Sequence, residues 1–432
     1  MFINDCLNVN EKNHLTIGGC DAVELAEIYG TPLYVIDEDT VRENCRAYID
    51  SFKKYYGGMG LPSYASKTLC CKEICRIMKQ EGMGLDVVSA GEIYTALSVG
   101  FPPEKIHFHG NNKTAEEIKF ALDNKIGKFV VDNLCELKAL NEQAGKAGIV
   151  QNISLRIKPG VDAHTHDFIK TGQIDSKFGF ALETGEAMQA VKEAIACKNL
   201  SLTEVHCHIG SQIFDIQPFV AAAEIMMDFI GAVKSETGLV IEELNLGGGF
   251  GIRYTEKDNP TNYENYIEAV SKAVKQKSEE YKIGVPYIYI EPGRSITGEA
   301  GITLYTVGSV KTIPNVRTYV SIDGGMGDNI RYALYGSEYT LVNASKAGNE
   351  PNTKITLAGK CCESGDLIQE NADIAQTEAG DIVAVLSTGA YNYSMASNYN
   401  RIPRPAMVAV SGGKHRVIIN RESFEDLIRN DV

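Results

Sequence analysis

Between residues 60 and 295 the chain alternates eight short apolar segments with amphipathic stretches of helical period, and no other feature restricts its fold as tightly. The strand-like segments are "SYASK" (63–67), "LDVVS" (85–89), "KIHFHG" (105–110), "KFVVDN" (128–133), "ISLRIK" (153–158), "EVHCHIG" (204–210), "ELNLGGG" (243–249) and "YIYIEPG" (287–293). Helical patterns stand between them, for example "TAEEIKFALDN" and "IQPFVAAAEIMMDFIGAVKSE". Short strands separated by helix-length crossovers pair in parallel, and eight such units close into a (β/α)8 barrel.

After about residue 300 the texture changes to β-rich segments, "GITLYTVGSV", "VRTYVSID", "KITLAG", "DIVAVLST" and "AMVAVSGGKHRVII", bounded by Gly, Asn and Pro turns. A chain of 432 residues exceeds what one hydrophobic core sustains, so a second, all-β domain is expected after the barrel. The predicted organisation is a barrel over 36–295 and a β-rich domain formed by 1–35 and 296–432, with "TPLYVID" as a strand ahead of the barrel in a segment that could join either domain.

Composition restricts the partners. A net charge of −14, with no basic run to offset it, repels nucleic-acid backbones and anionic lipid. No run approaches the ~20 apolar residues that a membrane span needs. Eleven cysteines, an odd number with no C-x-x-C, point to reduced thiols, and "MFINDCLNVNEKNHL" has neither a basic leader nor an apolar core. The expectation is a cytoplasmic protein acting on a small molecule.

Barrel active sites lie at the C-terminal ends of the strands. The residues there are Lys67, Asp86 and Ser89, His109, Asn133, Lys158, His208, the glycines Gly247, Gly248 and Gly249, and Glu291 with Arg294. A triple glycine after the seventh strand lets backbone N–H groups approach an anion, where this fold recurrently binds phosphate, and Arg294 adds a bidentate donor. A phosphate beside a barrel-mouth lysine suggests pyridoxal 5′-phosphate, with Lys67 carrying it and Glu291 keeping its pyridine nitrogen protonated. Taken singly, Lys67 also fits a strand-end lysine reaching solvent, and "GGG" a tight turn; their joint placement favours the cofactor.

The motifs "YASK" (64–67), "GLDVVSAGE" (84–92), "HGNNKT" (109–114), "PGVDAHTH" (159–166), "TGQIDSKFGF" (171–180), "HCHIGSQI" (206–213), "NLGGGFGI" (245–252), "EPGRS" (291–295), "IRYALY" (330–335), "CESGD" (362–366) and "GAYNYSMASNYN" (389–400) follow in order along nearly the whole chain. In them the sequence resembles the fold-type III pyridoxal-phosphate decarboxylases, with an alanine-racemase-like barrel, and within these the enzymes acting on diaminopimelate. The resemblance implies a homodimer whose active sites lie at one subunit's barrel mouth and are completed by the partner's β domain. It implies Lys67 as the cofactor-bearing lysine, His208 stacked on the pyridine ring, Ser211 and the Gly247–Gly249 turn on the phosphate, and Glu291 on the ring nitrogen. Asp86, Gly293, Arg294 and Tyr391 belong to the same cofactor surroundings. Substrate contacts fall at Arg294, Arg331, Tyr335, Glu363 and Tyr391, and Cys362 matches a catalytic thiol arriving from the other subunit. Two positions depart from the family: Lys360 and Tyr332 stand where proline is usual, which touches loop geometry.

Diaminopimelate carries an amino-acid group at both ends, so its site requires a guanidinium for the far carboxylate and a carboxylate for the far ammonium; Arg331 and Glu363 have those charges. Decarboxylases of ornithine, lysine or carboxynorspermidine share the cofactor apparatus, but "DAHTH", "TGQIDSKFGF" and "SMASNYN" favour diaminopimelate. A racemase would need a second acid/base, and a non-enzymatic relative would have lost the lysine or the glycine turn. The rival from another chemistry is a metal-dependent hydrolase using the pairs His107/His109, His164/His166 and His206/His208; these lie on separate elements without a carboxylate-rich ligand set, and no metal is expected.

Overall fold

The structure, a computed structural model, describes residues 2–161 and 176–432. The pair His164/His166 lies outside the described residues, as do parts of "PGVDAHTH" and "TGQIDSKFGF". The chain forms two compact units: Asn44–Gly251 with Pro260–Gly293, and Met1–Glu43 with Ile252–Asn259 and Arg294–Val432.

The first unit is the expected barrel. Its strands are β1 (Gly60–Ala65), β2 (Gly84–Val87), β3 (Ile106–Phe108), β4 (Lys128–Val131), β5 (Gln151–Lys158), β6 (Leu200–Cys207), β7 (Glu243–Asn245) and β8 (Tyr287–Ile290). Each pairs in parallel with the next, and β8 closes the ring on β1 with Ile288 opposite Gly60. Strands in such a ring are covered on both faces, which is why β2, β3 and β4 are buried along their whole length. Most strands stop two to four residues before the predicted end; Gly110, Gly210, Gly247 and Pro292 stand in the excess after β3, β6, β7 and β8, and a turn or a helix N-cap takes it after the others. The helices behind them start on sequence-encoded caps: Ser89 accepts from Glu92 N–H, Asn133 from Glu136 N–H, and Thr114 with Glu117 forms a capping box. Ser89 and Asn133, expected to line the barrel mouth, are thereby occupied as N-caps.

Charge occupies the lower barrel interior where branched aliphatics usually pack. Lys128 Nζ lies 2.8 Å from Glu204 Oε2 and 2.7 Å from Glu243 Oε2, and 4.7 Å from the centre of the Tyr289 ring. Tyr289 donates to Glu243 Oε1 at 3.1 Å, and His107 packs edge-on against it at 4.7 Å. Burial alone would lower the Lys128 pKa, but the two glutamates raise it above its ordinary value, so the ammonium stays charged.

The second unit is built on strand Gly301–Ile313, which bends at a bulge between Val307 and Ser309. Leu33–Asp37, buried throughout, pairs with it antiparallel and with Ala406–Ser411 in parallel, so the predicted "TPLYVID" strand belongs to this sheet. One core gathers Leu15, Ile17, Leu33, Val35, Ile302 and Val408; a second gathers Tyr305, Val320, Leu341, Leu357 and Ile368. Ile252 and Tyr254 join this second core although they stand between barrel strands β7 and β8 in sequence.

Truncating the lysine of the ionic layer would leave two glutamates inside the barrel without their cation. Lys128→Met is expected to destabilise the protein by ~3–5 kcal/mol, with Lys128→Met/Glu204→Leu losing less, both read from urea unfolding. A loss below ~1 kcal/mol for the single variant would mean that the layer is hydrated and contributes little.

Candidate active site

Lys67 does not end β1 but sits in the 3-10 turn Ser66–Thr68 just beyond it. The turn is pinned from below: Thr68 Oγ1 lies 2.8 Å from both Ala65 O and Tyr64 Oη, and Tyr64 donates to Leu69 O at 3.0 Å. Ser66 and Thr68 are buried while Lys67 between them is exposed, so the local fold lifts one amine out of an apolar shelf. Gly293 lies against this turn; a Cβ there would stand 2.6 Å from Thr68 Cγ2 and 2.9 Å from Ala65 Cβ. The exit of β8 reaches the lysine turn only because that side chain is missing.

Below the mouth, residues of three strands aim polar groups at one carboxylate. Glu291, immediately after β8, has Oε1 2.9 Å from His109 Nε2 and accepts from Asn245 Nδ2 at 2.8 Å, while Oε2 lies 3.2 Å from His206 Nε2. Asp86 Oδ1 stands 3.6 Å from His109 Nε2. All five side chains are buried. Burial would raise the Glu291 pKa, but His109 and His206 hold it well below the usual carboxylate range. Burial likewise opposes charge on His109, yet Asp86 and Glu291 raise its pKa; Asp86 itself is pushed up by burial against the pull of His109. The arrangement is a buried glutamate held toward its ionised form beside an imidazole held toward its charged form. Arg156 stacks at 4.3 Å on Phe178, 4.0 Å from Asp132 Oδ1.

The glycine turn follows β7. Gly247 (φ +67°) and Gly249 (φ +113°) adopt backbone that side chains disfavour, and a Cβ on Gly248 would lie 2.1 Å from Glu291 O. Asn245 Oδ1 accepts from Gly247 N–H at 2.9 Å, so one asparagine ties the turn to the buried glutamate. Beside it runs the loop holding Ser211, joined by Ile213 N–H to Gly249 O at 2.9 Å and by Gly251 N–H to Ile213 O at 3.0 Å. Gly248 N–H donates to His208 Nδ1 at 3.2 Å, which assigns the ring proton of a neutral His208 to Nε2. Burial first, then Lys67 and Arg156, push the His208 pKa well below its ordinary value, so the ring is neutral. An exposed lysine, a neutral imidazole face, a backbone cradle and an ionised floor carboxylate fit pyridoxal 5′-phosphate.

In the β unit Arg294, Arg331, Tyr335 and Tyr391 come together. The Tyr391 ring lies 4.8 Å from the Arg294 guanidinium carbon and 5.3 Å from that of Arg331, which is also 5.3 Å from the Tyr335 ring. Tyr391 sits at φ +69°, strained backbone of the sort that persists at functional positions. Among the described residues no carboxylate pairs with Arg331; it donates from Nε to Tyr339 Oη at 3.0 Å. Cys362 and Glu363 lie on an exposed loop, and among the described residues no cation pairs with Glu363. Asp366 shapes that loop, accepting from Met326 N–H at 2.6 Å and Cys361 N–H at 2.7 Å. Cys361 is half-buried, with its thiol pushed up to about 11 by burial and then by Asp366, whereas Cys362 is exposed. The departure at Tyr332 has its own anchor, a 2.5 Å hydrogen bond to Glu370 Oε2.

Sequence reasoning missed Asn245, Asp366, Tyr254 and Tyr339. Asn245 had a signal, since it precedes the triple glycine by two residues and alternates with Glu243 along β7. The two described H-x-H pairs, His107/His109 and His206/His208, do not act as pairs. His109 and His206, one from each of two pairs, meet Glu291 with ligand atoms within 4.8 Å, a set that would also suit a metal.

Comparison with known proteins identifies the family of the chain. Residues 38–298 match the family described as "Pyridoxal-dependent decarboxylase, pyridoxal binding domain". The diaminopimelate decarboxylase of Bacillus subtilis (strain 168) is 48% identical over 100% of this chain and 98% of its own length, and that of Halalkalibacterium halodurans is 49% identical over the same shares. The crystal structure of diaminopimelate decarboxylase from M. jannaschii in co-complex with L-lysine superposes with a TM-score of 0.92 at 38% identity, covering 100% of this chain and 99% of that one. On a family match over most of its length and relatives nearly half identical along the whole chain, the protein belongs to the pyridoxal-dependent decarboxylases, among the diaminopimelate decarboxylases.

Proposed function

We propose that the protein decarboxylates meso-2,6-diaminopimelate to L-lysine and CO2, the last step of lysine biosynthesis. The observation that carries the reading is Glu291, a buried carboxylate kept ionised at the floor of a mouth whose rim bears Lys67. Pyridoxal 5′-phosphate, when bound, takes up the electron pair left on the α-carbon as CO2 departs. Lys67 holds the group covalently, and Glu291 keeps a proton on its ring nitrogen. His208, neutral, offers a flat face without a competing charge. Ser211 and the Gly247–Gly249 turn receive the phosphate, with Asp86, Gly293 and Arg294 completing the surroundings.

Decarboxylation needs one proton returned to the carbon that lost CO2, and Cys362 is the donor. Arg294, Arg331, Tyr335 and Tyr391 receive the far amino-acid end, with Glu363 on its ammonium. Arg331, which has aromatic rings and no carboxylate around it among the described residues, suits an incoming carboxylate. The exposure of Cys362 and Glu363 supports their use in a partner's site, hence a homodimer in which the β-rich domain of one subunit completes the barrel mouth of the other. Free thiols throughout the described residues, and no described helix long and apolar enough to cross a membrane, support the cytoplasm as its location.

The direct test is CO2 release by the purified holoenzyme from meso-diaminopimelate, L-lysine and L-ornithine; equal or faster use of either of the latter overturns the substrate. Glu291→Gln is expected to keep the visible absorbance of bound cofactor while kcat falls by ~10²-fold or more. Unchanged turnover would remove Glu291 from the chemistry. Lys67→Ala and Cys362→Ala are each expected to be inactive, and their isolated mixed dimer to recover one intact site in two, because every contact across a two-fold axis occurs twice. A mixed dimer as inactive as its parents would place Cys362 outside the shared site.

A further inference from the structure

Tyr254 belongs to the segment Ile252–Asn259, which leaves the barrel sequence after β7 and packs into the β unit. Its backbone is fixed on both sides: N–H donates to Asp258 Oδ2 at 3.0 Å, and C=O accepts from Thr340 N–H at 3.0 Å and Thr340 Oγ1 at 2.9 Å. Its ring meets Tyr339 edge-on at 5.5 Å and is 7% exposed. Held this way, it addresses both guanidiniums of the cluster. Arg294 Nη1 donates to its hydroxyl, the Arg294 guanidinium carbon lies 5.6 Å from its ring centre, and that of Arg331 lies 6.0 Å away.

Two guanidiniums gathered in a largely buried place repel one another, and the faces of Tyr254 and Tyr391 soften that repulsion. A ring face, however, does not fix how a guanidinium is rotated. The Tyr254 hydroxyl does so for Arg294, as the Tyr339 hydroxyl and Ser337 do for Arg331, at 3.0 and 3.4 Å. Fixing both forks directs their remaining N–H groups and avoids part of the entropy lost when a flexible cation closes on an anion.

We infer that Tyr254 is a positioning residue for substrate selection: through Arg294 it sets a two-guanidinium receptor for the carboxylate at the end of the substrate remote from the reacting carbon. The inference rests on the functional reading above.

Tyr254→Phe keeps the ring and removes the hydroxyl. Its test compares competitive inhibition by L-lysine, which has the remote carboxylate, with inhibition by 1,5-diaminopentane, which has the same chain and both amines but no carboxylate. In the Tyr254→Phe holoenzyme, cofactor absorbance and kcat are expected to stay within about twofold of wild type. The KM for diaminopimelate and the inhibition constant of L-lysine should rise about tenfold, as for loss of a hydrogen bond to a charged group, and diaminopentane should be unaffected. Arg294→Lys should show the same lysine-selective loss, and the double variant no more than either single one. Equal effects on both inhibitors, no effect on either, additive losses, or a Tyr254→Phe protein that fails to hold cofactor would each overturn the inference. Binding of the two amines, read from the absorbance change they cause, does not require turnover. A wild-type enzyme inert toward diaminopimelate would therefore refute the functional reading separately from the role of Tyr254.

Discussion

A single buried carboxylate organises the barrel mouth. Glu291 draws His109 from β3, His206 from β6 and Asn245 from β7 onto its two oxygens, and through Asn245 it also holds the glycine turn. An ion at this depth persists only with partners of good geometry, and breaking a pair of this kind costs about 3–5 kcal/mol. The requirement acts in both directions. The strands must converge for the charge to be tolerated, and the charge, once tolerated, fixes where the floor of the mouth lies.

The two histidines divide the burden unequally. His109, between Asp86 and Glu291, is held toward its charged form, whereas burial lowers the His206 pKa despite the same glutamate. His208, one alternation further along than His206, stands above Lys67's charge and is neutral for that reason as well as for its burial. Three imidazoles from two H-x-H patterns thus occupy three electrostatic environments, set by neighbours that no local pattern announces.

What was legible in the sequence was periodic or positional. Eight apolar segments yielded eight strands, and their ends pointed toward Lys67, His109 and Glu291 because barrel geometry turns sequence position into location. The first strand was drawn too long, because the chain already turns into a 3-10 helix at Ser66, so Lys67 falls in a turn rather than on a strand. Ser89 and Asn133 looked like mouth residues and are N-caps, since a loop from strand to helix uses the same residue types for both purposes. Tyr254 was hidden by connectivity: it lies between two barrel strands in the chain but packs in the other unit. Lys128, Glu204 and Glu243 give no signal in the sequence, because a charge satisfied by distant residues looks there like a charge satisfied by water.

That ionic layer also bears on how the chain is made. Lys128 precedes Glu204 by 76 residues and Glu243 by 115, so during synthesis the cation exists long before either anion. A nascent half-barrel cannot dehydrate Lys128, because the interior it would enter still lacks the opposite charge. Burying Lys128 together with both its partners therefore requires strands from both halves of the chain, which ties the satisfaction of this one charge to closure of the ring.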